Sequence, residues 1–545
     1  MATQRSIPPT HGSNTIKEWV TMRVKASNTI FNRGRNCWDV GEVLETGLLI
    51  DGCDYYRAFY EAAKSAERYI LISGWQFDSS VKLLRGEDVQ RDEDSLQFLP
   101  FLNSLCDRNP DLEIYILAWS FTYLYWLDRE WFQEWYFNWT TNERLRFCFD
   151  HDHAFGASHH QKFVVVDGVI AFLGGLDLCS SRWDERDHRP DNPLRINSRP
   201  NQDPYHTFHD VQSYHMGPLA EKLAQMFKMR WKKVCGAELN LPQVSPRRMK
   251  LRSAIPIAAK QVAISRTQAR TNGDAQESSQ EIRQLFLDGI EAAESLIYIE
   301  NQYFSSAAIY KGLVARMKAS DRPQLEIVMV LAKEADAFLE QVSIGILQEK
   351  VIRSLKEIAS ETGHRLGVYY PASVGKEGEE AATYVHSKLL LIDDRFLSVG
   401  SANFNNRSMG LDTEINVSWH ATANDRDLVR SIRRARVSLL AEHTRVKNLA
   451  AIRRLSRIKG LVNFLNELAN DSSFRLRHHP LKNGLDTAPG LISLFPDGLP
   501  LDPEEPLFET NYAEKTGSGQ NRVSGRGGFF FGHWLSSFCS RSENR

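Results

Sequence analysis

The chain has 545 residues, 42% of them hydrophobic and 25% charged, with a formal net charge of -1 and a pI near 7. This profile excludes large-scale disorder and suits a globular chain long enough for two or more core-building units. It also excludes a global basic field of the kind that holds nucleic acid, so no nucleic-acid partner is expected. The opening MATQRSIPPTHGSN lacks the apolar core of a signal peptide, and no apolar run approaches the roughly 20 residues that span a bilayer. The expected location is the cytoplasm or the periphery of a membrane, with export lacking a cleaved signal left open. Seven scattered cysteines, Cys37, Cys53, Cys106, Cys148, Cys179, Cys235 and Cys539, form no CxxC pair, which reads as reduced, buried thiols without zinc or redox chemistry.

In chain order, residues 1–33 read as an N-terminal extension and 34–240 as a first repeat. This repeat opens with a helix, YRAFYEAAKSAER, and the strand RYILISGWQFDSS. It continues through the apolar strands LEIYILAW and RLRFCFD to HQKFVVVDGVIAFLGG, which begins at His160. Residues 241–279, rich in Pro, Arg, Gln and Ser, read as a connector. A second repeat, 280–445, carries the same series: QEIRQLFLDGIEAAES, SLIYIENQYFSS, LEIVMVLA, RLGVYYP and HSKLLLIDDRFLSVGS, which begins at His386. Gln302 follows Gln76 by 226 residues and His386 follows His160 by 226, so the register survives the intervening loops. Strands alternating with helices predict an α/β fold of two pseudo-symmetric repeats, each a mixed β-sheet flanked by helices, joined in one bilobal unit.

Residues 446–545 read as a helical and partly disordered tail. The basic stretch from Arg430 to Leu465 suits helices packed on the domain with a solvated basic face, or docking on an anionic membrane. LFPDGLPLDPEEPLFE reads as a loop and EKTGSGQNRVSGRGG as disordered. GGFFFGHWLSSF, at 12 residues, is too short to cross a membrane.

Both repeats carry His-x-Lys-x-x-x-x-Asp: His160, Lys162 and Asp167, then His386, Lys388 and Asp393. On a strand, residues i and i+2 share a face and i+7 falls on the other. Each His therefore projects with its Lys. The imidazole suits a nucleophile or proton carrier near neutral pH, and the ammonium offers fixed charge for phosphate oxygens. The aspartates, though part of the catalytic signature, read by parity as braces. After each motif come Gly174 or Gly400 and a small-polar run, in which Ser401 and Asn403 share a face suited to phosphoryl oxygens. Gln76 and Gln302 at the strand exits are further phosphate-binding candidates, with backbone satisfaction as the competing role. His151, His153 and His159 have no counterparts in the second repeat and read as loop residues. With no metal-ligand spacing beside the motifs, neither metal nor cofactor is expected. Downstream, FHDVQS and DTEINV each place an acid before an apolar-polar strand. They nominate Asp210 and Glu414 to hold the imidazoles. The first half carries 22 extra residues there (210 plus 226 minus 414), ERDHRPDNPLRINSRPNQDPYH, expected as a loop near the pocket mouth.

The doubled HxKxxxxD, the GSxN continuation and IYIENQYF resemble the phospholipase D superfamily over roughly residues 30–445. GRNCWDV, GWQFDSS and GGLDLC…RWD resemble its bacterial members related to the eukaryotic enzymes. The resemblance implies both histidines at one pseudo-twofold interface, with no oligomer required. It implies a phosphohistidine on His160, His386 as acid and then base, and crossed support of His160 by Glu414 and of His386 by Asp210. The implied activity is hydrolysis of glycerophospholipids to phosphatidic acid at a membrane surface, with water or a primary alcohol as acceptor. Alternatives are a phosphatidyltransferase like cardiolipin or phosphatidylserine synthases, a nuclease of the superfamily, and a catalytically silent membrane-binding module. With 33 residues ahead of Gly34, regulation by calcium or phosphoinositides, as in the larger relatives, is not expected.

Overall fold

Apolar runs bounded by turns build two mixed sheets. The computed structural model describes residues 29–89, 96–120, 133–197, 205–270, 278–334, 338–376, 378–481 and 502–506. The tail segments EKTGSGQNRVSGRGG and GGFFFGHWLSSF lie outside the described residues, as does most of LFPDGLPLDPEEPLFE.

The strands that matter here are β1 (Asp39–Glu42), β2 (Glu45–Ile50), β3 (Tyr69–Gly74), β4 (Glu113–Trp119), β5 (Leu145–Asp150), β6 (Phe163–Val166), β7 (Ile170–Gly174) and β8 (Val211–Met216). They continue as β9 (Ile255–Pro256), β10 (Gln261–Gln268), β11 (Leu296–Asn301), β12 (Glu326–Leu331), β13 (Arg365–Val374), β14 (Leu389–Ile392), β15 (Phe396–Gly400) and β16 (Glu414–His420). One sheet runs β9-β2-β8-β7-β6-β3-β4-β5 and the other β1-β10-β16-β15-β14-β11-β12-β13, with short strands added to the second. The two orders match place for place. In each, three strands are parallel (β3, β4, β5 and β11, β12, β13) and the rest antiparallel. The outermost strands are exchanged: β1 precedes β2 in the chain yet pairs with β10, and β9 precedes β10 yet pairs with β2. The stretch read as a connector therefore contains β9 and β10, and the second sheet begins well before residue 280.

The sheets face one another across a shared core. On β3, Tyr69 and Leu71 enter it while Ile70 and Ile72 enter the outer core of the first half. On β11, Leu296 and Tyr298 enter the shared core while Ile297 and Ile299 turn outward. Each such buried Leu or Ile side chain contributes about 1.5–3 kcal/mol of transfer free energy. This parity corrects the repeat alignment. Tyr69 matches Leu296, a spacing of 227, so Trp75 matches Gln302 and Gln76 matches Tyr303. A strand shifted by one residue would present its opposite face.

The same offset recurs at the motif aspartates. Asp167 accepts the N–H groups of Glu67, Arg68 and Tyr69 at 2.8, 2.8 and 3.0 Å. Asp393 accepts those of Glu294, Ser295 and Leu296, each at 2.7 Å. Both sit in the tight turn beyond the motif strand at φ +54. They brace the start of β3 or β11, at the far end of the strand from the histidine, which corrects their grouping with the catalytic residues. Asp167→Ala should destabilise the fold by about 3 kcal/mol, because three N–H groups lose a charged acceptor. Urea unfolding would register the loss, while activity per folded molecule stays within a factor of about three if the role is structural.

The basic stretch forms helices α1 (Arg426–Thr444), α2 (Leu449–Ser456) and α3 (Leu461–Ala469). Ile432, Ala435, Leu439, Leu455 and Leu465 pack into the shared core, while Arg433, Arg434, Arg453 and Arg457 stay exposed. Among the described residues, no helix is long and apolar enough to cross a membrane. Cys148 on β5 and Cys235 form a disulfide across 87 residues, which corrects the expectation of thiols throughout; Cys37, Cys53, Cys106 and Cys179 are free.

Candidate active site

Each motif histidine is pinned to the backbone of the opposite half. The His160 N–H donates to Thr413 O at 2.9 Å and the His386 N–H to His209 O at 2.8 Å. Since Thr413 and His209 immediately precede Glu414 and Asp210, these two bonds align each imidazole with a carboxylate from the other repeat. His160 Nδ1 lies 3.1 Å from both Glu414 oxygens. His386 Nδ1 lies 2.6 Å from Asp210 Oδ2. Neither histidine reaches the aspartate of its own motif, which is engaged at the strand's other end.

His160 Nδ1 also lies 3.0 Å from Ser401 O. A carbonyl oxygen only accepts, so Nδ1 carries the hydrogen and a neutral His160 keeps its lone pair on Nε2. Glu414 is fixed by hydroxyl donors, Ser401 at 2.5 Å and Ser408 at 2.6 Å. Ser401 Oγ further accepts Ile415 N at 3.0 Å, and the residue is fully buried. Its hydroxyl therefore buttresses Glu414 instead of meeting a phosphoryl oxygen, a correction to its expected role. In the first half Gly175 occupies the matching place, and a Cβ there would come within 2.3 Å of Asp210 Oδ1. Asp210 needs that space.

The lysines sit beside their histidines, as i and i+2 require. Lys162 Nζ lies 3.1 Å from Asp177 Oδ2 and 3.3 Å from His160 O. Lys388 donates to His386 O and, at 3.2 Å, to Gln302 Oε1. Gln302 Nε2 in turn donates to the hydroxyls of Tyr303 and Tyr384, both at 2.7 Å, so Gln302 holds Lys388 in place. Gln76, one register place off, is half-buried beside Trp75. Asn403, the counterpart of Asp177, is buried and its Oδ1 has no hydrogen-bond partner.

Burial sets the charge states. It lowers Lys388 to about 7, with Lys162 pressing the same way and Asp210 opposing. Burial, followed by Lys388, Arg182 and Lys162, holds His386 well below the usual imidazole range. Burial lifts Asp210 to about 6 against the pull of Lys388. At neutral pH His386 is thus uncharged and Asp210 ionised. His160 and His386 keep 17% and 10% side-chain exposure, enough to meet a ligand at a mostly dry site.

Several neighbours escaped sequence reasoning. The Phe208 ring lies 5.2 Å from the His386 ring, and Arg182 lies over that phenyl ring at 5.0 Å. Arg182 follows the small-polar run GGLDLCSS, and that proximity is the only sequence signal it gave. His159, read as a loop residue, is buried with Nε2 3.0 Å from Asp150 Oδ1. The 22-residue insertion is not simply a loop at the mouth, since its His188 and Arg195 are buried inside the protein.

The family model described as "Phospholipase D" matches residues 140–337, and "Cardiolipin synthase, PLD-like domain" matches 286–435. Phospholipase D alpha 3 of Arabidopsis thaliana is 25% identical over 53% of this chain and 48% of its own length. Phospholipase D1 of Saccharomyces cerevisiae is 24% identical over 77% of this chain and 29% of its own. The chain thus spans about half or less of these curated relatives. Among solved structures, phosphatidylserine synthase of Haemophilus influenzae superposes with a TM-score of 0.50 at 14% identity, covering 79% of this chain and 94% of that one. That likeness extends to the fold.

Proposed function

Because the chain belongs to the phospholipase D superfamily, we propose that it cleaves the head-group phosphodiester of membrane glycerophospholipids through a covalent phosphohistidine. The observation that carries this reading is the pair of crossed His–carboxylate contacts, His160 with Glu414 and His386 with Asp210, each beside a lysine. His160 Nε2, with its lone pair free, attacks phosphorus. The phosphorus–oxygen bond to the head group breaks, and His386 delivers the proton to the leaving oxygen. Water or a primary alcohol then attacks the phosphatidyl-His160, and His386 takes up the acceptor's proton. Products are phosphatidic acid or a phosphatidyl alcohol. Lys162 and Lys388 hold the non-bridging oxygens, where charge gathers in the transition state. Gln302 positions Lys388, and Asn403 offers its amide to the same oxygens. No second copy of the chain is needed, because both histidines come from one.

His386 is uncharged before substrate arrives, so its proton is taken up as the anionic phosphodiester enters beside the two lysines and offsets their field. The match to a family model described as cardiolipin synthase supports a second reading, transfer of the phosphatidyl group to a lipid alcohol. The two share every step up to the acceptor. Incubation with mixed phosphatidylcholine, phosphatidylethanolamine and phosphatidylglycerol vesicles plus a primary alcohol, with the lipid products identified, tests both. Phosphatidic acid together with the phosphatidyl alcohol is expected. Cardiolipin formed in preference to both would favour the transferase. Intact lipid alongside cleavage of an oligonucleotide would overturn the proposal in favour of a nuclease.

A further inference from the structure

A second group of side chains lies behind the catalytic pair, out of reach of solvent. Asp51, His188 and His209 are wholly buried and Glu442 nearly so. Their ligand-type atoms, one from each residue, all fall within 4.8 Å of one another. His188 Nε2 lies 3.2 Å from Glu442 Oε1 and 3.4 Å from Asp51 Oδ2, and His209 Nδ1 lies 2.7 Å from Glu442 Oε1. In a tetrahedral zinc site with bonds of about 2.0–2.1 Å, neighbouring ligands stand roughly 3.3 Å apart. The observed separations bracket that value.

Two features separate this group from an ordinary buried ion-pair network. The first is that buried polar atoms are left over. Asp51 Oδ2 and His209 Nδ1 both face the group's centre without a hydrogen bond of proper geometry, although His209 Nδ1 lies 2.7 Å from Glu442 Oε1 and 3.0 Å from Asp51 Oδ1. A buried atom without a partner loses the stabilisation water would have given it. The second is the backing of both imidazoles. His188 presents Nε2 inward while its Nδ1 lies 3.0 Å from Asp184 Oδ2. His209 presents Nδ1 inward while its Nε2 lies 3.0 Å from Glu300 Oε2. A carboxylate behind each ring fixes the tautomer whose lone pair points at the centre, as in carboxylate–histidine–metal arrangements. Glu442 is held by Arg186 at 2.5 Å through its other oxygen.

Charge leads to the same place. The buried carboxylates of Asp51, Asp184, Glu300 and Glu442 outnumber the guanidinium groups of Arg186, Arg195 and Arg475 that contact them or their surroundings. A buried excess of negative charge requires compensation, which a bound cation or protonated imidazoles would supply. Asp51 and His188 also adopt φ of +64 and +41, a conformation that costs free energy in a non-glycine residue and persists where surroundings enforce it.

We propose that Asp51, His188, His209 and Glu442 bind one divalent cation of the zinc class, as a structural site independent of the phospholipase reading. Two histidines and two carboxylates in a closed shell match a four-coordinate structural site with no open position for substrate. The site joins segments from both halves and grips the residue that leads into β8: Asp51 Oδ1 accepts Asp210 N at 3.1 Å, and Asp51 N donates to Asp210 O at 2.9 Å. The expectation of no metal rested on motif spacing. These ligands come from four segments spread over residues 51 to 442, a separation no spacing pattern records.

The test is elemental analysis of the untagged full chain, expressed with zinc supplementation and dialysed against metal-free buffer. About one zinc per chain is expected, falling at least about fivefold in His188→Ala and in Glu442→Gln. Refolding the wild-type chain with cobalt(II) should give the visible absorption of a four-coordinate ion. Wild-type chain that folds and carries less than about 0.2 metal per chain overturns the proposal, and identifies a protonated histidine as the compensating charge. Because the wild-type measurement decides alone, a variant that fails to fold leaves the conclusion intact. Unchanged zinc in a folded double variant, His188→Ala with His209→Ala, also overturns it.

Discussion

His160→Ala should abolish turnover, by about 10⁴-fold or more, and should leave no phosphorylated protein after acid-free quenching of a labelled substrate. His386→Ala should lose about 10²–10⁴-fold on a lipid, but the loss in kcat/KM, which reports formation of the intermediate, should shrink on a substrate whose leaving group needs no proton, such as a nitrophenyl phosphodiester. The two variants are distinguishable because their imidazoles are prepared differently. The Ser401 carbonyl beside His160 Nδ1 demands a hydrogen there and frees Nε2 for phosphorus, whereas His386 meets only the Asp210 carboxylate at Nδ1. With the nitrophenyl substrate, His386→Ala should accumulate phosphohistidine, since its second step lacks a base. Labelled protein in His160→Ala, with none in His386→Ala, would exchange the two roles. Full activity in either folded variant would sink the two-histidine mechanism.

Lys388→Ala should lower kcat by about 10²–10³-fold, because it removes fixed charge from a dry site where water cannot replace it. The pH dependence carries the sharper signature. Lys388 is lowered to about 7, chiefly by burial, and its useful form is the charged one. A group with a lowered pKa loses that charge as pH rises through the folded value. Thus kcat/KM, which reports the free protein, should decline on the alkaline side from about pH 7. Bound phosphodiester adds a negative charge beside Lys388 and raises its pKa, so the corresponding limb in kcat should lie at higher pH. Lys388→Arg keeps its charge throughout and should lose this limb even if its absolute rate is lower. An alkaline limb unmoved in Lys388→Arg would assign it to another group.

The site was legible in the sequence wherever chemistry followed from strand parity. His160 and Lys162, or His386 and Lys388, two places apart, had to share a face, and Asp167 and Asp393 had to leave it. The acids at 210 and 414 could be nominated because a partner acid and the strand behind it recur after both motifs. Ser401 shows the limit of the same rule. Parity gave its side, but the direction of a hydroxyl depends on which acceptor lies nearest, and Glu414 arrives from 13 residues further on. The pairing of Gln76 with Gln302 shows a related limit: counting between motifs yields 226, whereas strand pairing slips β11 by one and matches Trp75 to Gln302, and one residue inverts a strand's faces.

By itself, the sequence determined the α/β class, the duplication, and the two His–Lys pairs, because strand periodicity and repeated spacing are local properties of the chain. Tertiary structure alone decided the rest. It exchanged β1 and β9 between the sheets, joined Cys148 to Cys235, brought Arg182 and Phe208 to His386, and gathered Asp51, His188, His209 and Glu442 behind Asp210. Each of these depends on residues distant in the chain becoming neighbours when two sheets close over one core. Pairing, desolvation and shared charge are created by that closure.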